Sequence, residues 1–141
     1  MSSAYFSEPK IVPTEFAVAS EHVCVLKLTD PLLASELHAN SAKLTAYVEK
    51  VSRPIIVVAD FSQITRISPD LISVGLQRGP ANPLRNPAIA KSVIITQLPI
   101  IQELASVVSK VLGINKLIVV ENWDKANKEV EMFLRQQNLP N

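Results

Sequence analysis

Cysteine, glycine and long apolar runs are scarce in this sequence, and each shortage excludes a class of protein. Cys24 is the one cysteine among 141 residues, so no disulfide can form within the chain. The three glycines (Gly75, Gly79 and Gly113) are too dispersed for a phosphate-binding loop or a dinucleotide-binding fingerprint. No apolar run approaches the roughly 20 residues that cross a bilayer. The first ten residues also lack the apolar core of a signal peptide. We therefore predict a cytoplasmic protein without membrane insertion.

The sequence also lacks an excess of charge of one sign, because 14 basic residues are balanced by 13 acidic ones. A balanced chain produces no field that would attract nucleic acid or an anionic membrane surface. Lys and Arg also form no local run that would supply a basic patch. The sequence therefore predicts no nucleic-acid partner.

Catalytic and metal-binding patterns are also absent. Zinc prefers several nitrogen or sulfur donors, and the sequence supplies only His22, His38 and Cys24, which do not have metal-ligand spacing. No Gly-x-Ser-x-Gly elbow of the serine hydrolases occurs. Cys24 alternates with apolar residues in a predicted strand and is interpreted as a small buried hydrophobe. We predict no catalytic residues, no metal and no cofactor, and hence a protein that is not an enzyme.

Apolar residues are abundant, at 48% of the chain, and they alternate between strand-like and helix-like spacing. Strands are predicted over residues 11–19, 22–28, 55–59, 91–96 and 117–120. Helices are predicted to start at Asp30-Pro31, Ser68-Pro69-Asp70, Pro99 and Asn122. This order predicts an α/β fold with a mixed sheet of about five strands and four helices. We expect one domain over residues 11–141, preceded by a flexible arm over residues 1–10.

Several residues receive a structural interpretation from their local pattern. Asp30 is expected to cap the helix that follows it. Trp123, near the start of the last helix, is expected to pack in the core. The helix that begins at Pro99 is strongly amphipathic, and we place Leu104 and Val108 in the core.

The most specific pattern runs from Val57 to Leu76, VVADFSQITRISPDLISVGL. It resembles the STAS domain, found in bacterial anti-sigma-factor antagonists and in the cytoplasmic tails of sulfate transporters. STAS domains carry here a strand, then Asp-Leu-Ser, a hydrophobic-Thr pair, and Asp-Ser-Ser-Gly at the start of a helix. The positions that match this pattern are Asp60, Phe61, Ser62, Ile64, Thr65 and Ile67. The resemblance implies a STAS-like fold and a regulatory, non-enzymatic role.

The sequence departs from that pattern at the start of the helix. The serine that is phosphorylated in the family falls on Asp70, and the aspartate before the serine pair falls on Ser68. The family's phosphorylation switch therefore does not carry over to this chain. Asp70 supplies a permanent negative charge in its place. Ser68-Pro69-Asp70 also has a purely structural interpretation as an ordinary helix cap.

The predicted function is that of a regulatory or scaffolding module that acts through protein contacts. The predicted binding residues are Ser62, Arg66, Ser68 and Asp70. The partner can be a different protein or a second copy of this chain, which would give a homodimer. The alternative is a small-ligand binding domain that holds an anion or an apolar molecule near Arg66, although Arg66 can also simply be solvated. An enzyme whose carboxylates converge only in three dimensions ranks last.

Overall fold

Five strands and three helices lie within the part of the chain that the structure describes. This computed structural model describes residues 15–20, 22–30, 34–51, 54–67, 86–112 and 116–137. The strands are β1 (Glu15–Ser20), β2 (Val23–Lys27), β3 (Ile55–Asp60), β4 (Ile89–Ile95) and β5 (Leu117–Val120). The helices are α1 (Ala34–Lys50), α2 (Pro99–Leu112) and α3 (Trp123–Gln136). None of the helices in these ranges combines the length and the apolar character that spanning a membrane would require.

The strands follow one another across the sheet in sequence order, β1-β2-β3-β4-β5. β1 pairs antiparallel with β2 because the short link between them permits a hairpin. The pairs β2–β3, β3–β4 and β4–β5 are parallel, as expected when longer crossover connections separate the strands. The predicted α/β class is confirmed. The helix predicted from Ser68 and the arm over residues 1–10 lie outside the described residues.

Each face of the sheet has its own apolar core, because successive side chains of a strand point to opposite faces. On the first face, α1 and α2 cover a cluster that includes Cys24, Ile55 and Val57. On the second face, α3 covers a cluster that includes Ile56 and Val58. β3 is therefore buried from both sides, which explains its continuous run of β-branched residues.

Cys24 lies in the first of these clusters and is fully buried. Burial raises the pKa of its thiol to about 11, because an apolar environment disfavours the charged thiolate. A thiol that stays protonated at neutral pH is a poor nucleophile. The interpretation of Cys24 as a small buried hydrophobe is confirmed.

The buried face of helix α2 is narrower than its apolar stripe and differs from the face that was predicted. Among the described side chains of α2, Ile101 and Ala105 are buried, whereas Leu104 and Val108 are only half-buried. Ile100 remains 53% exposed. A helix advances about 100° per residue, so the apolar positions of α2 cover a wider stripe than the sheet can contact. Leu104 therefore packs against the first cluster without being fully buried. Placing Val108 in the core was wrong, because the centre of the buried face is near Ile101.

This orientation predicts a gradient of mutational effects along one turn of α2. Ile101→Ala should lower the free energy of unfolding by about 2–5 kcal/mol, because it opens a cavity under the helix. Leu104→Ala should cost less, and Ile100→Ala should change stability by no more than about 0.5 kcal/mol. Urea denaturation of the three variants measures these differences. Equal losses at Ile100 and Ile101 would contradict the assigned face.

Candidate functional site at the carboxyl edge of the sheet

The parallel strands β2 to β5 end at one common edge of the sheet, and polar residues follow three of them. Asp60 is the last residue of β3, Asp30 lies shortly beyond β2, and Trp123 lies shortly beyond β5. Backbone hydrogen bonds continue past the strands, from Leu28 N to Asp60 O at 3.1 Å and from Phe61 N to Ile95 O at 2.9 Å. These bonds hold the strand ends in register. Sites in α/β proteins commonly lie at this edge.

Asp60 is the buried polar residue at the centre of this edge, with 4% of its surface exposed. Its Oδ1 accepts a hydrogen bond from the backbone N–H of Ser62 at 2.9 Å. Its Oδ2 accepts a hydrogen bond from the indole Nε1–H of Trp123 at 2.8 Å. A buried carboxylate needs such donors to offset the loss of its hydration. Asp60 thereby joins the segment after β3 to the first residue of α3.

Asp30 holds the same segment, residues 61–67, from the other side; we call this segment the β3 loop. Its Oδ1 accepts hydrogen bonds from the backbone N–H groups of Thr65 at 3.0 Å and Arg66 at 2.9 Å. Its Oδ2 accepts a hydrogen bond from the Thr65 hydroxyl. The Nε of Arg66 lies 3.8 Å from that same oxygen. The Asp30 carboxylate therefore binds a loop 35 residues later in the chain. The residues that it was expected to cap, 31–33, lie outside the described residues.

These contacts set the electrostatics of the loop. The hydroxyl of Thr65 is the largest influence that lowers the pKa of Asp30 below its usual value, and the backbone N–H of Thr65 is the next. The charge of Arg66 adds a smaller effect in the same direction, since its side chain is 75% exposed and water screens the pair. The ionised form of Asp30 therefore holds the loop chiefly through hydrogen bonds.

The structure places two of the four predicted binding residues, and it brings them together on the β3 loop. Ser62 and Arg66 are both exposed, and their backbone N–H groups are bound by two different carboxylates. Ser68 and Asp70 lie outside the described residues. The roles of Asp30 and Trp123 were missed by the sequence analysis. Their positions shortly after two predicted strands, β2 and β5, were the signal that could have revealed them.

The described side chains at this edge are arranged for holding backbone, not for holding a metal ion. In residues 15–20, 22–30, 34–51, 54–67, 86–112 and 116–137, no group of three or more His, Cys, Asp or Glu side chains converges as a metal site would require. The carboxylates of Asp30 and Asp60 already accept hydrogen bonds from N–H and O–H donors. The chemical result is a loop fixed in place with outward-facing polar side chains.

Comparison with solved structures places the fold in a known class. The chain resembles the solved structure titled "Structure of the Anti-Sigma Factor Antagonist SpoIIAA in its Unphosphorylated Form", with a TM-score of 0.56 and 13% sequence identity. The match covers 84% of this chain and 97% of that one. The fold is therefore STAS-like, as the resemblance of residues 57–76 implied. No protein-family model matches the sequence, and none of the curated proteins is significantly similar to it.

The Asp60–Trp123 hydrogen bond should make a measurable contribution to stability. Trp123→Phe keeps the aromatic ring but removes the N–H donor, so part of a buried carboxylate loses its partner. We expect a loss of about 1–3 kcal/mol in the free energy of unfolding. Circular dichroism should follow the denaturation, because Trp123 is the only tryptophan and its replacement removes the fluorescent signal.

A double-mutant cycle with Asp60→Asn separates this bond from general packing. The two substitutions should be non-additive, since each removes the same interaction. Additive losses would show that Trp123 acts through packing alone.

The hydrogen bonds to Asp30 should make the β3 loop sensitive to acid. Because the pKa of Asp30 is lower in the folded protein than its ordinary value of 3.8, its bonds stabilise the fold above that value and are lost as the pH falls through the lowered pKa. The amide signals of Thr65 and Arg66 in NMR spectra should shift with a midpoint below 3.8. Asp30→Asn should abolish that transition. A midpoint at or above 3.8 would contradict the proposed anchoring.

Proposed function

We propose that the chain is a non-enzymatic regulatory or scaffolding module that binds a partner protein through the carboxyl edge of its sheet. The observation that carries this proposal is the β3 loop, whose backbone is fixed while its polar side chains are exposed. The STAS-like fold supports it, since the similar solved structure is named as an anti-sigma factor antagonist. The proposed contact residues are Ser62, Arg66, Ser68 and Asp70.

A fixed loop suits recognition of another protein because less flexibility is lost on binding. Ser62, Gln63, Thr65 and Arg66 are all exposed, while Ile64 between them is buried and fixes the loop to the core. The Asp30 and Asp60 carboxylates hold both ends of this stretch. Binding through such a preorganised surface avoids much of the entropy cost of ordering a flexible loop.

The small-ligand alternative is less favoured. An anion near Arg66 would have to compete with the Asp30 carboxylate, which lies 3.8 Å from the Arg66 Nε. The described residues also form a groove beside β5, but it is open and has a volume of about 230 Å³. Small-molecule sites are usually more enclosed and measure about 300–1,000 Å³.

Asp70 extends the proposal to regulation. It occupies the sequence position at which STAS domains carry their phosphorylated serine, and its charge is permanent. A carboxylate is smaller and less charged than a phosphate, yet either would place negative charge at the start of the helix that the sequence predicts there. We therefore propose that the chain stays in one binding state and is not switched by phosphorylation at this position.

The test is a set of pull-downs from the native cells, with partners identified by mass spectrometry. Arg66→Glu should reduce capture of the partner, because it reverses the charge of a side chain of the loop that is 75% exposed. Asp70→Ser should change which partner is captured while leaving the fold intact, at a cost of at most about 1 kcal/mol.

Arg135→Glu is the matched control for charge. It makes the same substitution on an exposed residue in the last turn of α3, which lies away from the carboxyl edge. Phosphopeptide mapping of the native protein completes the test. Unchanged partners for both Arg66→Glu and Asp70→Ser would refute the interface, and stoichiometric phosphate on Ser68 would refute the fixed state.

A further inference from the structure

A groove runs between α2 and β5, the last strand of the sheet. The proposed function does not involve this groove. We call it the β5 groove. Its volume is about 230 Å³, and its lining residues include Gln102, Ala105, Ser106, Lys110, Leu117 and Val119. The strand contributes two apolar side chains to the floor, and the helix contributes a mostly polar rim.

Among the described residues, no strand covers the outer backbone edge of β5 along this groove. Ser92 N donates to Lys116 O and Thr96 N donates to Val120 O, each at 3.0 Å. The backbone N–H and C=O groups of the even-numbered residues therefore point toward β4. Backbone groups alternate in direction along a strand, so Leu117 and Val119 direct their N–H and C=O groups away from β4. β5 ends the strand order, and no other strand in the described ranges pairs with it on that side. Such an edge is a template for one more strand.

The β5 groove also carries charge of a single sign. Lys110 is its charged lining residue, and no described carboxylate forms a salt bridge with Lys110. A second copy of the chain that presented the same groove would bring another lysine and no carboxylate. An extended segment with one acidic side chain would complement the groove in both charge and shape.

We propose that β5 binds an extended peptide segment of a partner protein, which adds to the sheet as a further strand. Its backbone would bond to the outward N–H and C=O groups of Leu117 and Val119, as in other cases of strand addition. Alternate side chains of the segment would enter the β5 groove, and an acidic one would lie opposite Lys110. The β5 groove is separate from the β3 loop, so this proposal can be tested independently of the proposed function.

Hydrogen exchange in the free protein first tests whether the outward backbone N–H groups of β5 are open to solvent. Amides of Ile118 and Val120 should be protected by β4, whereas those of Leu117 and Val119 should exchange rapidly at low protein concentration. Protection of Leu117 and Val119 in dilute protein would show that the chain itself covers the edge and would overturn the proposal. Protection that grows with protein concentration would make a second copy the occupant and would also overturn it.

Binding is then tested with the fluorescent peptide Thr-Val-Thr-Val-Thr-Glu-Thr, in which both valines and the glutamate share one face. The peptide should protect the Leu117 and Val119 amides from exchange. A version methylated on alternate backbone nitrogens should not bind, because it lacks the donors that strand addition needs.

Two charge reversals complete the design. Lys110→Glu should weaken peptide binding about five-fold or more, the order expected for exchanging an attractive for a repulsive exposed pair. Lys128→Glu, an exposed position on α3, is the matched control and should leave binding unchanged. Absence of peptide binding, or equal effects of the two reversals, would overturn the proposal.

Discussion

The geometry of the carboxyl edge depends on the hydrogen bonds that the buried carboxylate of Asp60 accepts. Asp60 ends the central strand of the sheet, where the chain must leave the core and begin a loop. With two donors, Ser62 N–H and Trp123 Nε1–H, it satisfies its own hydrogen-bonding needs and joins β3 to α3 at the same time. Replacing one donor would leave a buried charge with too few partners, which costs more than the bond itself contributes. The geometry of the edge is therefore tightly constrained.

Asp30 also holds the β3 loop, and its carboxylate loses less hydration than that of Asp60. Its carboxylate lies nearer the solvent, so its hydrogen bonds to Thr65 and Arg66 compete with water and are individually weak. Three donors converge on it nonetheless, and two of them are backbone N–H groups of the loop. Together the two carboxylates hold the β3 loop from the ends of adjacent parallel strands.

Much of the fold could be predicted from local patterns, whereas the contacts of the site could not. The apolar run of β3 and the alternation of β2 identify strands without any knowledge of their neighbours. The pairing of Asp30 with Thr65 depends on which strands are adjacent, and a single sequence does not contain that information. The same limit explains the error on α2, since its apolar stripe is wider than the face that the sheet covers, and only packing decides that Ile101 is buried and Ile100 is not.

Two proteins that share a fold at 13% identity have the same arrangement of strands and helices, but each has its own side chains at the site. Parallel strand order guarantees that whatever follows β2, β3 and β5 meets at one edge. In this chain those residues include two carboxylates, which accept hydrogen bonds from the β3 loop, and an indole, which donates to one of these carboxylates. The side chains available for the proposed partner contact are therefore the outward-facing ones of the loop itself. Since Arg66 is the charged member of that set and its charge is only partly offset by Asp30, the loop should favour a partner surface that offers acidic groups.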